Sequence, residues 1–393
     1  MRLPRPDISQ LRAVVERLAS LERLPTSAGE REAAQWIALR LRELGARAAV
    51  EEEAAYASYA RPIGLLTALA AFCGTRGRLA AAIGGTIAAA GIVDEISYGR
   101  RWTRRITARA RSAYNVVGEA GDPAAERTLV VMAHHDAAPT GVVFDHTAER
   151  WFASRYPGVV ERITQNPPMW WPVVAGPALV AAGGALGLRR PRLAGVMVSA
   201  LATAAFADIA ARRAVPGAND NLSAVAVLVA LAAALRERPV PGLRVILFSA
   251  GAEEALQEGV RGFAARHFPE LDRKSTFFLN LDTVGSGRLV LLEAEGPIRL
   301  EPYDRDLNEL VARCAAEQGI AVMRGLSSRN STDGVVPNRH GYPTSTLVSV
   351  DGLKLLPHYH RHSDRPEHVD YECVADAAVL AEAVARALAA APR

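Results

Sequence analysis

Four short, strongly apolar runs limit what this chain can fold into: TLVVMA at 128–133, RVILFSA at 244–250, FFLNL at 277–281 and TSTLVSV at 344–350. Each is too short for a core helix and too continuously apolar for a half-exposed strand, so each reads as a strand buried on both faces. Helical periodicity separates them, over 222–236, 259–267, 304–318 and 371–390. Ahead of them, Asp7 to Leu24 and Ala28 to Leu44 show the same spacing, with Thr26 or Ser27 placed to cap the second helix. Strands alternating with helices predict an α/β fold with a mostly parallel central sheet flanked by helices. Chemistry in such sheets collects in the loops at the carboxyl ends of the strands.

Two further stretches do not belong to that sheet. Residues 62–74 and 79–93 form an apolar pair around a Thr-Arg-Gly-Arg turn, and residues 169–188 and 193–211 form another around Arg189, Arg190, Pro191 and Arg192. Both read as inserted helical hairpins. They divide the 393 residues into N-terminal helices (1–60), a first hairpin insertion (61–98), sheet-domain sequence (99–140), a second insertion (141–214) and the remaining sheet domain (215–393). A helix needs about 20 apolar residues to cross a bilayer, which the second pair meets and the first meets with its flanks. Half the residues are hydrophobic although only 6% are aromatic, and mean hydropathy is slightly positive at +0.06. Trp102, Trp170 and Trp171 flank the apolar segments where interfacial aromatics would sit. These features predict membrane association through 62–96 and 169–211; a soluble helical lid or dimer arm is the other reading.

The arginines on the core side of the hairpins (Arg100, Arg101, Arg104, Arg105, Arg109, Arg111, Arg212 and Arg213) outnumber the five in the turns, which predicts a cytoplasmic sheet domain. The N-terminus is charged and amphipathic, without the apolar core of a cleavable signal peptide. Lys274 and Lys354 are the only lysines beside an abundance of arginine, and no aromatic-interleaved basic stripe is present, so nucleic acid is not an expected partner. Cys73, Cys314 and Cys373 are scattered and fit neither a disulfide framework nor a CxxC metal site.

Five places in the second part of the chain carry carboxylates or imidazoles at strand ends or in loops. These are His134-His135-Asp136 after the first strand, Gly217-Ala218-Asn219-Asp220-Asn221 before a helix, and Gly251-Ala252-Glu253-Glu254 after the second strand. Asp282 follows the third, and His358-Tyr359-His360 with Arg361-His362-Ser363-Asp364 comes after the fourth. Zinc takes neutral imidazole and carboxylate ligands, and a two-metal hydrolase needs one carboxylate that bridges both ions. Two histidines and three acidic groups supply such a set. An adjacent Glu-Glu pair can divide the work, one side chain on the metal and the other acting as base.

This ordered set resembles peptidase family M28, the zinc aminopeptidases of the zinc-exopeptidase (phosphorylase/hydrolase-like) fold. The family pattern His-x-Asp, Gly-Ala-x-Asp-Asn, Glu-Glu, Asn-x-Asp and Tyr-His-x-x-x-Asp is matched by His134 to Asp136, Gly217 to Asn221, Glu253-Glu254, Asn280 to Asp282 and Tyr359 to Asp364. The resemblance implies two Zn2+ ions, with Asp220 bridging, His134 and Asp282 completing one site, and Glu254 and His360 the other. It implies Glu253 as general base, Asp136 as hydrogen-bond acceptor for His134, Tyr359 as donor to the oxyanion, and Asp333 in the substrate-pocket loop. His135, His358 and His362 are then neighbours of ligands and not ligands themselves. The implied activity is hydrolysis of the N-terminal bond of a peptide substrate. The alternatives are a glutaminyl-cyclase- or carboxypeptidase-like relative and a non-catalytic membrane-associated binding module. The sequence leaves oligomeric state open.

Overall fold

The computed structural model describes residues 2–391. Nine strands form one sheet: β1 (Arg47–Ala55), β2 (Arg111–Gly121), β3 (Thr128–His134), β4 (Arg244–Ala250), β5 (Thr276–Leu281), β6 (Arg288–Glu295), β7 (Glu301–Pro302), β8 (Val322–Ser328) and β9 (Thr344–Val350). Their order is β1-β2-β4-β3-β5-β9-β6-β7, with β8 paired to β6. The four strands read from sequence are the centre, β4-β3-β5-β9, and they run parallel. Both flanks turn antiparallel, through β1/β2 and β2/β4 on one side and β6/β9 on the other.

The continuous apolarity of β3 has a direct cause in the pleat. Leu129, Val131 and Ala133 enter one core layer, and Val130 and Met132 enter the opposite one. On β4, Val245 and Leu247 divide from Ile246 and Phe248 in the same way. Each such side chain contributes about 1.5–3 kcal/mol through burial, which is why no polar face is left to alternate.

Helices cover both faces. α1 (Ile8–Ala19) and α2 (Ala28–Glu43) are capped by Asp7 and Ser27, whose side chains accept from the amides of Ser9 and Glu30. After β1 come α3 (Ala60–Thr75), α4 (Arg78–Ile96) and α5 (Trp102–Thr107); after β3 come α6 (Thr147–Arg155), α7 (Pro157–Arg162), α8 (Trp170–Ala185), α9 (Arg189–Ala211) and α10 (Ser223–Glu237). The chain continues with α11 (Glu258–His267), α12 (Arg305–Gln318), α13 (Val335–Arg339) and α14 (Tyr371–Ala390). Helices α1, α2, α10, α12 and α14 pack on one side of the sheet, and α11 and α13 on the other.

The two hairpins do not stand apart. α3, α4, α8 and α9 pack together as one four-helix unit outside the sheet. Each hairpin joins one long helix, α4 of 19 residues or α9 of 23, to a shorter one of 16. The first arm of the second hairpin is therefore shorter than its apolar run, because the chain leaves helical geometry before Gly187, which has φ +71°. At the sheet end of the unit, Tyr59, Ile63, Phe206 and Ile209 form a cluster with Phe144 that reaches Leu256 and Tyr359.

A buried ionic network ties this unit to the sheet domain. Arg104 donates from its backbone amide (3.0 Å) and Nε (2.9 Å) to Glu95 at the end of α4, and from Nη1 to Glu258 (2.7 Å) and to the carbonyl of Ala255 (2.6 Å). Arg101 adds contacts to Glu258 and the Leu256 carbonyl. Arg104 and Glu95 are fully buried. Removing one partner of such a network leaves a charge uncompensated in the interior, at a cost of about 3–5 kcal/mol. Arg104→Leu is accordingly expected to lower the thermal midpoint by several degrees, read by calorimetry, whereas Arg105→Leu on the exposed side of α5 should leave it nearly unchanged.

Candidate metal centre

Three parallel strands deliver the first groups, because their carboxyl ends lie side by side. His134 is the last residue of β3, the Glu253-Glu254 turn follows β4, and Asp282 follows β5. Asp220 arrives from the loop before α10, and His360 from the loop after β9. Several of these loops hold non-glycine residues in left-handed conformation, Ala252 at φ 50°, Thr283 at φ 50° and His360 at φ 52°. Such backbone costs about 1–3 kcal/mol per residue and persists only where the surroundings fix it.

The fixing contacts are visible. Asp364 accepts from the amides of Asn219 (2.8 Å) and Asp220 (3.0 Å), which sets the bridging-candidate carboxylate. Asp136 accepts from the amides of Glu253 and Glu254, both at 3.0 Å. Its distance to His134 Nδ1 is 3.4 Å, longer than a formed hydrogen bond, so what Asp136 holds here is chiefly the glutamate turn. Arg23, fully buried, donates to the carbonyls of Leu18 (2.6 Å), His135 (2.8 Å) and Pro216 (2.8 Å) and so fastens the β3 end to the Asp220 loop.

At the centre, the two carboxylate oxygens of Asp220 face two different imidazoles. Oδ1 lies 3.2 Å from His134 Nε2 and Oδ2 lies 3.4 Å from His360 Nε2. Glu254 Oε2 is 3.2 Å from His360 Nε2, whereas Glu253 Oε2 stays 4.0 Å from His134 Nε2. His134, Asp220 and Glu254 offer ligand atoms within 4.8 Å of one another. Asp282 is close enough for its charge to act on His134, Asp220, Glu254 and His360. All five ligand candidates from the sequence thus meet at one place, with Glu253 beside them.

The electrostatics ask for cations. Asp136, Asp220, Glu253, Glu254, Asp282 and Asp333 surround two imidazoles, and burial pushes the carboxyls of Glu253, Glu254 and Asp333 up, that of Asp282 to about 7. Burial would raise Asp220 too, but His134 and His360 hold it well below the usual carboxylate range. Burial opposes charge on His360, yet Glu254 and Asp220 raise it to about 10. Glu254 Oε1, both oxygens of Asp333, and Nδ1 of His134 and of His360 are buried without a hydrogen-bond partner. Orphaned acceptors among excess buried carboxylates are what a divalent metal pair satisfies, and the donor set of imidazole and carboxylate suits zinc.

The neighbouring histidines fall outside. His135 points into the core, bonded through Nδ1 to Ser249 Oγ at 2.9 Å, and burial lowers it to about 4. His358 bonds Ser363 and stacks on His368, and His362 is exposed. Tyr359 stacks on the His360 ring with centroids 3.9 Å apart, and Phe144 meets the same ring edge-on at 4.5 Å.

Gln257 was not visible as a site residue from sequence. Its Nε2 donates to Glu253 Oε1 (2.7 Å) and to the Ser331 carbonyl (2.9 Å), while its Oε1 accepts from the Tyr98 hydroxyl (2.7 Å). Glu253 thus has one oxygen tied and one left toward the metal candidates. Gln257→Leu is expected to lower kcat about 10- to 100-fold with little change in KM, measured by steady-state kinetics, since small misplacements of a reacting group cost that much.

Against known proteins, the description "Peptidase family M28" matches residues 200–385, which include Asp220, Glu253, Glu254, Asp282, Asp333, Tyr359 and His360. Residues 200–385, just under half of the chain, are thus similar to that peptidase family. His134 and Asp136 lie ahead of the matched residues, which begin within the second insertion, and the fold brings them into the same cluster. Among solved structures, the chain is similar to a Bacteroides thetaiotaomicron glutaminyl cyclase bound to N-acetylhistamine, with TM-score 0.60 and 15% identity over 98% of this chain and 99% of that one. A leucine aminopeptidase precursor from Bacteroides thetaiotaomicron VPI-5482 gives TM-score 0.60 and 15% identity over 98% of each chain. An aminopeptidase from Aneurinibacillus sp. strain AM-1 gives 0.57 and 13% over 97% of this chain and 93% of that one. At these identities the likeness establishes the zinc-exopeptidase α/β fold. Among curated proteins none matches.

Proposed function

We propose that the protein is a metal-dependent aminopeptidase that hydrolyses the N-terminal bond of peptides at a two-zinc centre. The observation that carries this reading is the split of Asp220, one oxygen toward His134 and the other toward His360, as a bridging carboxylate requires. His134 and Asp282 would hold one ion, Glu254 and His360 the other. Zinc, when bound, supplies Lewis acidity and lowers the pKa of a coordinated water.

The chain's own residues do the rest. Glu253 takes the proton of the attacking water at its free oxygen and later returns it to the leaving amine. Gln257 keeps the carboxylate oriented during both transfers. Tyr359 is held by stacking on His360 and donates to the developing oxyanion. Asp333, buried with two free acceptor oxygens, would receive the substrate's ammonium group. Free N-termini are therefore preferred over blocked ones.

A second reading, glutaminyl cyclisation, is favoured by a specific likeness, since a cyclase and an aminopeptidase match the fold equally well. The test is a panel of dipeptides, their N-acetylated forms and an N-terminal glutaminyl peptide, assayed with zinc-loaded protein and with a chelated control. Cleavage of free-amine peptides alone supports the aminopeptidase; ammonia release from the glutaminyl peptide without dipeptide cleavage overturns it in favour of the cyclase.

A further inference from the structure

Much of the four-helix unit is built inside out for a protein in water. Glycine and alanine fill many of its helix contacts, with Ile63, Leu66, Ile92 and Phe206 buried beside them, and its backbones touch: a Cβ at Gly85 would sit 2.5 Å from Ala181 N, one at Gly184 2.5 Å from Ala82 N, and one at Gly195 2.6 Å from the Gly176 carbonyl oxygen. Many of its large apolar side chains nevertheless point outward. Leu79, Met197 and Leu201 are 74%, 64% and 68% exposed, and Phe72, Ile83 and Ile87 are more than half exposed. In water the hydrophobic effect drives the reverse arrangement, with large side chains inside and contiguous apolar patches kept small. Close packing on small residues with the bulky ones facing out is the arrangement that lipid favours, because lipid gives no force to bury leucine.

Charge and length agree with that solvent. Residues 62–75, 79–93, 170–188 and 193–207 contain no charged side chain. α4 and α9, with 19 and 23 residues, are about 28 and about 34 Å long at 1.5 Å per residue, against a hydrocarbon core of about 30 Å. α10 is equally apolar, but it is buried in the sheet domain, so apolarity alone does not mark the unit. Both turns lie at the far end, where Arg78 reaches the carbonyls of Gly184 (3.4 Å) and Ala185 (3.3 Å) beside Arg189, Arg190 and Arg192. At the near end, Trp102 and Trp171 are half exposed and sit at helix starts. Within the unit, Thr67 and Thr203 share a hydrogen bond at 2.9 Å, satisfying the hydroxyls where water would be absent.

We propose that α3, α4, α8 and α9 are embedded in a lipid bilayer and that the sheet domain rests on the bilayer surface at the end bearing Trp102 and Trp171. The cluster that joins the unit to Phe144 and Tyr359 then places the metal centre directly beneath the membrane anchor. The arginine balance, heavier on the sheet-domain side than in the turns, orients that domain to the cytoplasm.

The test uses the full chain synthesised without cells in the presence of 3:1 phosphatidylcholine:phosphatidylglycerol vesicles, followed by alkaline carbonate washing and density flotation. Most of the chain is expected to float and resist carbonate. A triple variant Ile83→Arg, Met197→Arg and Leu201→Arg should float at least tenfold less, with unfolding of its sheet domain in detergent unchanged. A chain that stays monodisperse in vesicle-free buffer and fails to float, whether as a monomer or as a dimer closed over this face, overturns the proposal. In intact cells, a membrane-impermeant maleimide should label Arg190→Cys and not Arg109→Cys; the opposite pattern overturns the orientation. None of these readouts depends on peptidase activity.

Discussion

Glu253→Gln is expected to reduce peptide turnover by about 10²–10⁴-fold while both metals remain bound, because general acid–base catalysis contributes on that order. The substitution keeps the shape of the side chain and keeps an oxygen able to accept from Gln257 Nε2, now 2.7 Å from Glu253 Oε1. What it removes is the second oxygen's capacity to take a proton. Glu253 stands 4.0 Å from His134, farther than the 3.2 Å between Glu254 and His360, so the two adjacent glutamates have separate assignments. The converse variant, Glu254→Gln, should lose metal before it loses anything else. Elemental analysis of both variants beside their kcat values checks the division: metal loss in Glu253→Gln, or full turnover with it, would contradict the assignment of the base.

The centre of the fold was legible because its physics is local. A parallel strand buried on both faces must be apolar throughout, and β3, β4, β5 and β9 all sit where such runs occur. The flanks were not legible for the opposite reason. β1 is an edge strand in which Glu51 and Glu53 lie on the face toward α11 and meet His267 and Arg266 there, so its polar content hides its pairing. β8 contains Arg324 and Gly325 and is held only by β6 among the named strands. β2 and β6 earn their places through long-range pairing that no window of sequence displays.

The candidate site divides along the same line. Ligand-type residues next to strand ends announce themselves, since a carboxylate or imidazole beside an apolar run has no ordinary structural use. The residues that aim them do not. Gln257, Arg23 and Arg104 act through carbonyls and carboxylates more than 70 residues away in the chain, apart from their near neighbours. Asp364 is the intermediate case: its place in the Tyr359-His360 motif was visible, but not that it grips the amides before Asp220. Asp136 is similar: its place beside His134, 3.4 Å from Nδ1, follows from the motif, but its grip on the two amides of the glutamate turn does not.

Asp220→Asn should have the largest effect on metal content of any single change. Its two oxygens face separate imidazoles at 3.2 and 3.4 Å, so a bridging role uses both as acceptors. An asparagine keeps one acceptor and turns an NH2 group, a donor only, toward the other position. One ion therefore loses a ligand and gains a repelling dipole, and the excess of buried carboxylates around it is not enough to hold it in place. Zinc content is expected to fall from two per chain to one or fewer, with turnover down more than about a thousandfold if both ions share the attacking water. Asp364→Asn tests the support beneath it, because it weakens the acceptor for the Asn219 and Asp220 amides without touching a metal position. It should retain two ions with lower affinity. If Asp220→Asn still binds two ions, the carboxylate does not bridge, and a centre in which His134 and His360 serve independent ions would replace the one proposed.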